Sequence, residues 1–207
     1  MRCLPFSLSC FLFFWSCAPD YHLHTIPLDS GCASKIAPLP MTSSWYHASV
    51  DVTGNHWSGL VLIKSMPDSS HRVVFTNEAG LTFFDFGFSK DGKLKIYFMI
   101  KKLNKKLVVQ TLGKDFELIL GEPFRKGPLQ SWDTGQEVYF GVKQKKETAY
   151  FITSKDCASL QRLEWGDARK RRVSVKISGP GYPSPEKIEL THHTFALRIA
   201  LTRIGQE

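Results

Sequence analysis

The sequence predicts a mainly β fold of the α+β class: an antiparallel curled sheet forming an open, incomplete barrel, with one main helix packed in its concave face. Three observations predict it. From Trp45 onward, strand-length segments alternate apolar and polar residues, as strands with one buried and one wetted face do. One segment, residues 104–120, changes to a helical period. A single helix cannot cover a flat sheet of about ten strands, so the sheet must curl to bury its inner face.

The elements follow in order. Residues 47–52 alternate cleanly, and Thr53-Gly54-Asn55 makes a hairpin turn into a strand at 57–64. Strands at 72–76, 81–88 and 94–101 continue the series. Their separators, Asn77-Glu78-Ala79-Gly80 and Lys90-Asp91-Gly92, both carry turn chemistry. The helix at 104–120 aligns Val108, Leu112, Phe116, Ile119 and Leu120, with Asn104 as N-cap and Gly121 just past its end. A Gly- and Pro-bearing loop covers 122–134. Strands resume at 137–144, 148–153, 160–165, 171–178, 187–191 and 194–203. In the last of these, Phe195, Leu197, Ile199 and Leu201 oppose Ala196, Arg198, Ala200 and Thr202.

Alternation assigns the inner face to Val61, Ile63, Val73, Phe75, Phe84, Phe86, Ile96, Phe98, Val138, Phe140 and Val142. Where the helix leaves that concavity unfilled, an apolar pocket remains. Its expected lining is Val61, Ile63, Val73, Phe75, Phe84, Phe86, Ile96, Phe98 and Phe140. The run Phe83-Phe84-Asp85-Phe86-Gly87-Phe88 reads either as pocket wall or as ordinary core.

The start of the chain has a different character. Arg2 and the apolar stretch from Leu8 to Trp15 form a signal-peptide pattern, far short of the about 20 apolar residues that span a bilayer. Phe14-Trp15-Ser16-Cys17 resembles a lipobox, which predicts cleavage before Cys17 and acylation of its thiol; an ordinary cleaved signal beside a chance cysteine is the other reading. The expected organisation is a lipoprotein signal peptide at 1–16, a polar, proline-bearing tether at 17–44 and a half-barrel domain at 45–207. Two or more acyl chains suffice for stable membrane anchoring.

Of five cysteines, Cys3 and Cys10 would leave with the signal and Cys17 would carry lipid. Cys32 and Cys157 remain in a compartment that permits disulfides. A bridge between them would pin the tether to the body, but two thiols make no pattern, and their pairing stays open. Cleavage removes Arg2 and no carboxylate, so the formal charge falls from +8 to +7. That charge fits solubility or contact with anionic head groups. No zinc-finger, helix-turn-helix or aromatic RNA-binding signature accompanies it, which argues against nucleic acid.

Other tempting groups read as structure. His192-His193, if in a strand, point to opposite faces and cannot chelate together. Asp115 and Glu117 lie two apart on the helix and share no face. Arg169-Lys170-Arg171-Arg172 reads as a solvated hairpin, with anionic lipid as its other reading. No nucleophile elbow, phosphate loop or His-Glu-x-x-His helix occurs. The sequence thus predicts no catalytic residue, no metal site and no cofactor.

Four features in order resemble the lipoprotein-localisation factors of the LolA/LolB type: the start at Cys17, the hairpin HRVVFTNEAGLTFFDF, the helix end LGKDFELILG, and the closing PEKIELTHHTFALRIALTRI. The resemblance covers roughly 45–204. It implies an open barrel lidded by helices that holds acyl chains in its cavity. One departure concerns the family's outer-membrane receptor, which exposes a leucine in a turn between early strands. The matching turn here is Asn77-Glu78-Ala79-Gly80, with no large apolar residue, and one helix is few for the family.

The resemblance implies an envelope lipoprotein of carrier or receptor type, lipid-anchored at the outer membrane and facing the periplasm, with a lipid or lipoprotein as cargo. The alternative is a non-catalytic structural or accessory lipoprotein that docks an envelope protein partner. A pocket would distinguish them.

Overall fold

The computed structural model describes residues 21–52, 54–167 and 169–205. The signal-like segment and Cys17 lie outside those residues.

A first meander contains β2 (Ser44–Val52), β3 (Asn55–Ser65), β4 (His71–Thr76), β5 (Thr82–Phe88) and β6 (Leu94–Met99). Helix α2 (Lys106–Ile119) and a short 3-10 turn (Glu122–Arg125) lead into a second meander. This comprises β7 (Leu129–Asp133), β8 (Glu137–Gln144), β9 (Glu147–Ser154), β10 (Leu160–Gly166), β11 (Arg171–Ser178), β12 (Lys187–His192) and β13 (Leu197–Arg203). Strand β13 then pairs antiparallel with β2, Leu201 opposite Ala48, and fuses the meanders into one sheet. Before them lie β1 (His24–Ile26), which pairs with β7, and α1 (Ser30–Ile36).

The sheet has 13 strands, with β1 at one end and β6 at the other. Those ends do not pair, so the barrel stays open. Beyond about 10 strands a twisted open sheet must curl, split or flatten, and this one curls. The connection from β6 to β7 runs from one end of the sheet nearly to the other, and α2 is that connection. It therefore crosses the concave face, where its apolar stripe is buried through Leu112, Phe116, Leu118 and Ile119. Across the concavity it meets Phe84 of β5, ring centroids 5.7 Å apart, and Leu94 of β6, which packs against Gly113. No helix among the described residues is long and apolar enough to cross a membrane.

Gly121 takes its expected place after α2, with φ +67°. The N-cap is Lys105, not Asn104, and it makes no side-chain capping bond. Asn104 is held in the preceding turn, where its N–H donates to the Ile100 carbonyl at 3.0 Å. The loop expected at 122–134 contains the 3-10 turn and β7, a five-residue strand too short for its alternation to stand out beside Gly127 and Pro128.

Residues 21–44, expected as tether, are built into the body. Tyr21 is buried and donates to Glu164 at 2.9 Å. Helix α1 is capped by Asp29, whose carboxylate accepts from the N–H groups of Gly31 and Cys32 at 2.8 and 3.0 Å. It buries Cys32, Ala33 and Ile36. Cys32 and Cys157 are disulfide-bonded, with their Cα atoms 5.4 Å apart. Helix propensity and a cap at 29–36 were hidden by the polar, proline-bearing surroundings.

The bridge closes a loop of 125 residues. Its loss through Cys32→Ser is expected to lower stability by about 2–5 kcal/mol. A urea midpoint unchanged from that of the oxidised parent would refute this.

Candidate functional site

Strand register divides the inner face into two rows. Val61, Phe75 and Phe84 stand opposite one another on β3, β4 and β5, and two residues along, Ile63, Val73 and Phe86 form the next row. The second row is sealed, because the far end of the sheet is plugged. There α1 buries Ile36, Met41 is fully enclosed, and the Arg125 guanidinium donates to the Pro38 carbonyl at 2.9 Å. The first row faces an open space.

That space is an apolar pocket of about 420 Å³ under the N-terminal half of α2. Its sheet wall is Val50 and Val52 of β2, Trp57 and Val61 of β3, Phe75, Phe84, and Leu197 and Ile199 of β13. Its helix wall is Val108, Thr111, Leu112 and Phe116. Leu103, Leu107 and Phe195 form the rim, and Leu107 is 75% exposed. Thr111 carries the one hydroxyl among these lining side chains. The volume falls within the roughly 300–1,000 Å³ usual for ligand pockets.

Of the nine residues expected to line a cavity, Val61, Phe75 and Phe84 do so. Ile63, Val73, Phe86 and Phe140 are buried in solid core instead. Phe140 lies in the second meander, opposite Phe151, which Phe124 covers edge-on at 4.8 Å. Ile96 and Phe98 are 45% and 47% exposed. Both belong to β6 at the sheet's end, and the register shifts there so that Tyr97 is an extra residue between the pairs Phe86–Ile96 and Asp85–Phe98. A bulge of this kind breaks the alternation, and it puts Phe98 beside Asp85 rather than in the row of Phe86. The wall residues from β2, β13 and the helix were missed as site residues, although their apolar alternation was visible. Which parts of that face stay uncovered depends on where α2 and α1 lie.

The paired histidines separate as strand geometry requires. His193 turns outward to Ser174, 2.9 Å away. His192 turns inward to Asp115 of α2, Nε2 lying 2.9 and 3.0 Å from the two carboxylate oxygens. Asp115 is 1% exposed, and burial raises its carboxyl above the ordinary range, against the hydrogen bond from His192 that lowers it. The His192 ring also packs on the rim residue Phe195 at 4.4 Å, so this buried pair locks the β12–β13 loop to the helix roof of the pocket. Glu117, by contrast, points outward to Lys126.

At the closed end, His71 and Glu122 form a second buried pair, 3.2 Å apart. Burial alone would raise the Glu122 carboxyl, but His71 and Arg125 outweigh it and hold the group below the usual range. The run 169–172 is a knitted hairpin: the Asp167 carboxylate accepts from the N–H groups of Arg169 and Lys170, both at 2.9 Å. Among the described residues no group of three His, Cys, Asp or Glu is placed to hold a metal.

No protein-family model and no curated protein sequence matches the chain. The architecture does match solved structures. The crystal structure of a LolA superfamily protein from Nitrosomonas europaea superposes with a TM-score of 0.52 at 7% identity, over 87% of this chain and 93% of that one. The chain has a LolA-like fold. An outer membrane lipoprotein-sorting domain from Vibrio parahaemolyticus aligns more loosely, with a TM-score of 0.47 at 8% identity over 85% and 88% of the two chains. At such identities the likeness concerns backbone architecture, and the pocket residues of this LolA-like chain stand on their own geometry.

The turn at 77–80 also corrects an expectation. Asn77 Oδ1 accepts from the Leu81 N–H at 2.7 Å and Gly80 has φ +83°. This tight turn ends by presenting Leu81, 55% exposed. A large apolar residue does stand at this turn, one position after the four residues that define it.

Proposed function

We propose that this chain is a membrane-anchored envelope lipoprotein that binds acyl chains of a lipid or lipoprotein, as a carrier or receptor rather than an enzyme. The observation that carries the reading is the apolar pocket of about 420 Å³, walled by Val61, Phe75, Phe84, Leu112 and Phe116. Burial of an acyl chain there is non-directional and contributes about 0.8 kcal/mol per methylene. Such a wall needs no hydrogen bonds to hold its ligand. The LolA-like fold agrees with this reading.

Cys17 is the proposed site of lipidation and residues 1–16 the proposed signal. Because residues 21–44 are packed against the body, the free tether would be no longer than about residues 17–20. The anchor would hold the half-barrel close to its membrane, proposed as the outer membrane with the domain in the periplasm.

Native mass spectrometry on the protein purified from a lipid-containing extract tests the proposal. Acyl species should co-purify and be displaced by added fatty acid. A bare protein mass, with no uptake on titration, would overturn the carrier reading and leave an anchored docking module.

A further inference from the structure

We infer that the pocket takes one acyl chain at a time and that lysines at its mouth select a chain bearing an anionic headgroup; the inference rests on the carrier reading above. Two observations carry it.

The first is size. At about 420 Å³ the pocket lies in the lower part of the roughly 300–1,000 Å³ range of sites that take a single small ligand, a size matched to one chain rather than several. Beyond the Thr111 hydroxyl and the Trp57 indole N–H the wall offers no side-chain hydrogen-bonding group and no charge, so a charged headgroup must remain at the mouth.

The second is the chemistry of that mouth. Between Gly92 and Lys114 the chain carries seven lysines and no carboxylate. Four of them, Lys101, Lys102, Lys105 and Lys106, surround Leu103 and Leu107, which form the rim. The Lys102 ammonium lies 4.9 Å from the ring centroid of the wall residue Trp57. Among the described residues none of these four lysines pairs with a carboxylate, whereas Lys114, Lys126, Lys155 and Lys187 do. An acyl chain inserted between Trp57 and Leu107 would leave its headgroup among these four cations. A carboxylate or a phosphate there would supply the missing counter-charge, and a neutral headgroup would not.

The test is calorimetric titration of the full chain with three single-chain probes: palmitate, palmitoyl lysophosphatidylglycerol and the neutral monopalmitoylglycerol. One probe should bind per protein. The anionic probes should bind on the order of tenfold tighter than the neutral one, with the margin shrinking as salt is added. In the variant K101Q/K102Q/K105Q/K106Q, all at exposed positions, that margin should vanish while neutral binding persists. The tighter of the two anions would identify the headgroup as carboxylate or phosphate.

Equal affinity for all three probes, or a preference that survives in the variant, would overturn the charge selection. Two or more chains per protein would overturn the single-chain site. Failure of the neutral probe as well as both anions would instead refute the carrier reading itself, and this inference with it.

Discussion

Replacing Thr111 with tryptophan is expected to weaken acyl uptake on the order of 50-fold while the fold stands. Thr111 is half-buried on the helix wall of the pocket. An indole at that position would enter the empty space rather than an occupied core. Displacing about three methylenes of bound chain forfeits about 2.4 kcal/mol at ~0.8 kcal/mol each, which corresponds to that loss of affinity. Overpacking normally costs about 1–3 kcal/mol where a core is already full, but here an open volume receives the ring. Urea unfolding should therefore move by less than ~1 kcal/mol. Thr111→Val is the control: it removes a hydroxyl from an apolar wall at nearly constant volume, and uptake should be retained or improved. Full uptake by the tryptophan variant would place the acyl chain elsewhere on the molecule.

His192→Ala is expected to cost about 3–5 kcal/mol at neutral pH, because it strips the partner from a buried carboxylate. Asp115 is enclosed on α2 and meets His192 at 2.9 Å. Burial already raises its carboxyl above the ordinary carboxylate range, and the contact with His192 is the main influence opposing that rise. Removing the histidine raises the folded-state pKa further. A carboxyl whose folded pKa lies above its unfolded one favours folding most when protonated, and that contribution is lost as pH rises through the folded value. The deficit of the variant should therefore be largest at pH 7 and shrink on acidification toward the ordinary carboxylate range. Adding Asp115→Asn should recover part of the loss at pH 7, since a neutral amide avoids burying an unpaired charge. A deficit independent of pH, undiminished in the double variant, would make His192 a packing residue only. The same variant should also loosen Phe195, which packs at a tilt against the histidine ring at the pocket rim.

Alternation located most of the strands to within a residue or two. The segments 137–144 and 171–178 coincide with β8 and β11, because apolar residues at period two leave one choice of face. Three elements were illegible for different reasons. Strand β1 has three residues and β7 has five, too few for a period to emerge. Helix α1 has seven residues and owes its place to the Asp29 cap and the disulfide, since so short a helix has little stability of its own. In β6 one extra residue reversed the facing of Phe98, a shift that no alternation rule foresees.

The candidate site was legible as a face but not as a place. That the inner surface would be apolar, that the sheet would curl and that one helix would pack in it followed from the order of residues, because hydrophobic period is a local property; whether the helix would fill the concavity stayed open. The position of the opening did not. It depends on α2 meeting Phe84 and Leu94, on α1 and Met41 filling the opposite end, and on the Cys32–Cys157 bridge holding that plug in place. These contacts join residues far apart in the chain. Ile63 and Val61 are two positions apart on one strand and indistinguishable in pattern, yet one is sealed in core and the other faces the pocket. Sequence alone determined most of the side chains that face the concavity, Ile96 and Phe98 of β6 excepted; only the tertiary structure decided where their burial stops, because packing is completed by neighbours that local order does not specify.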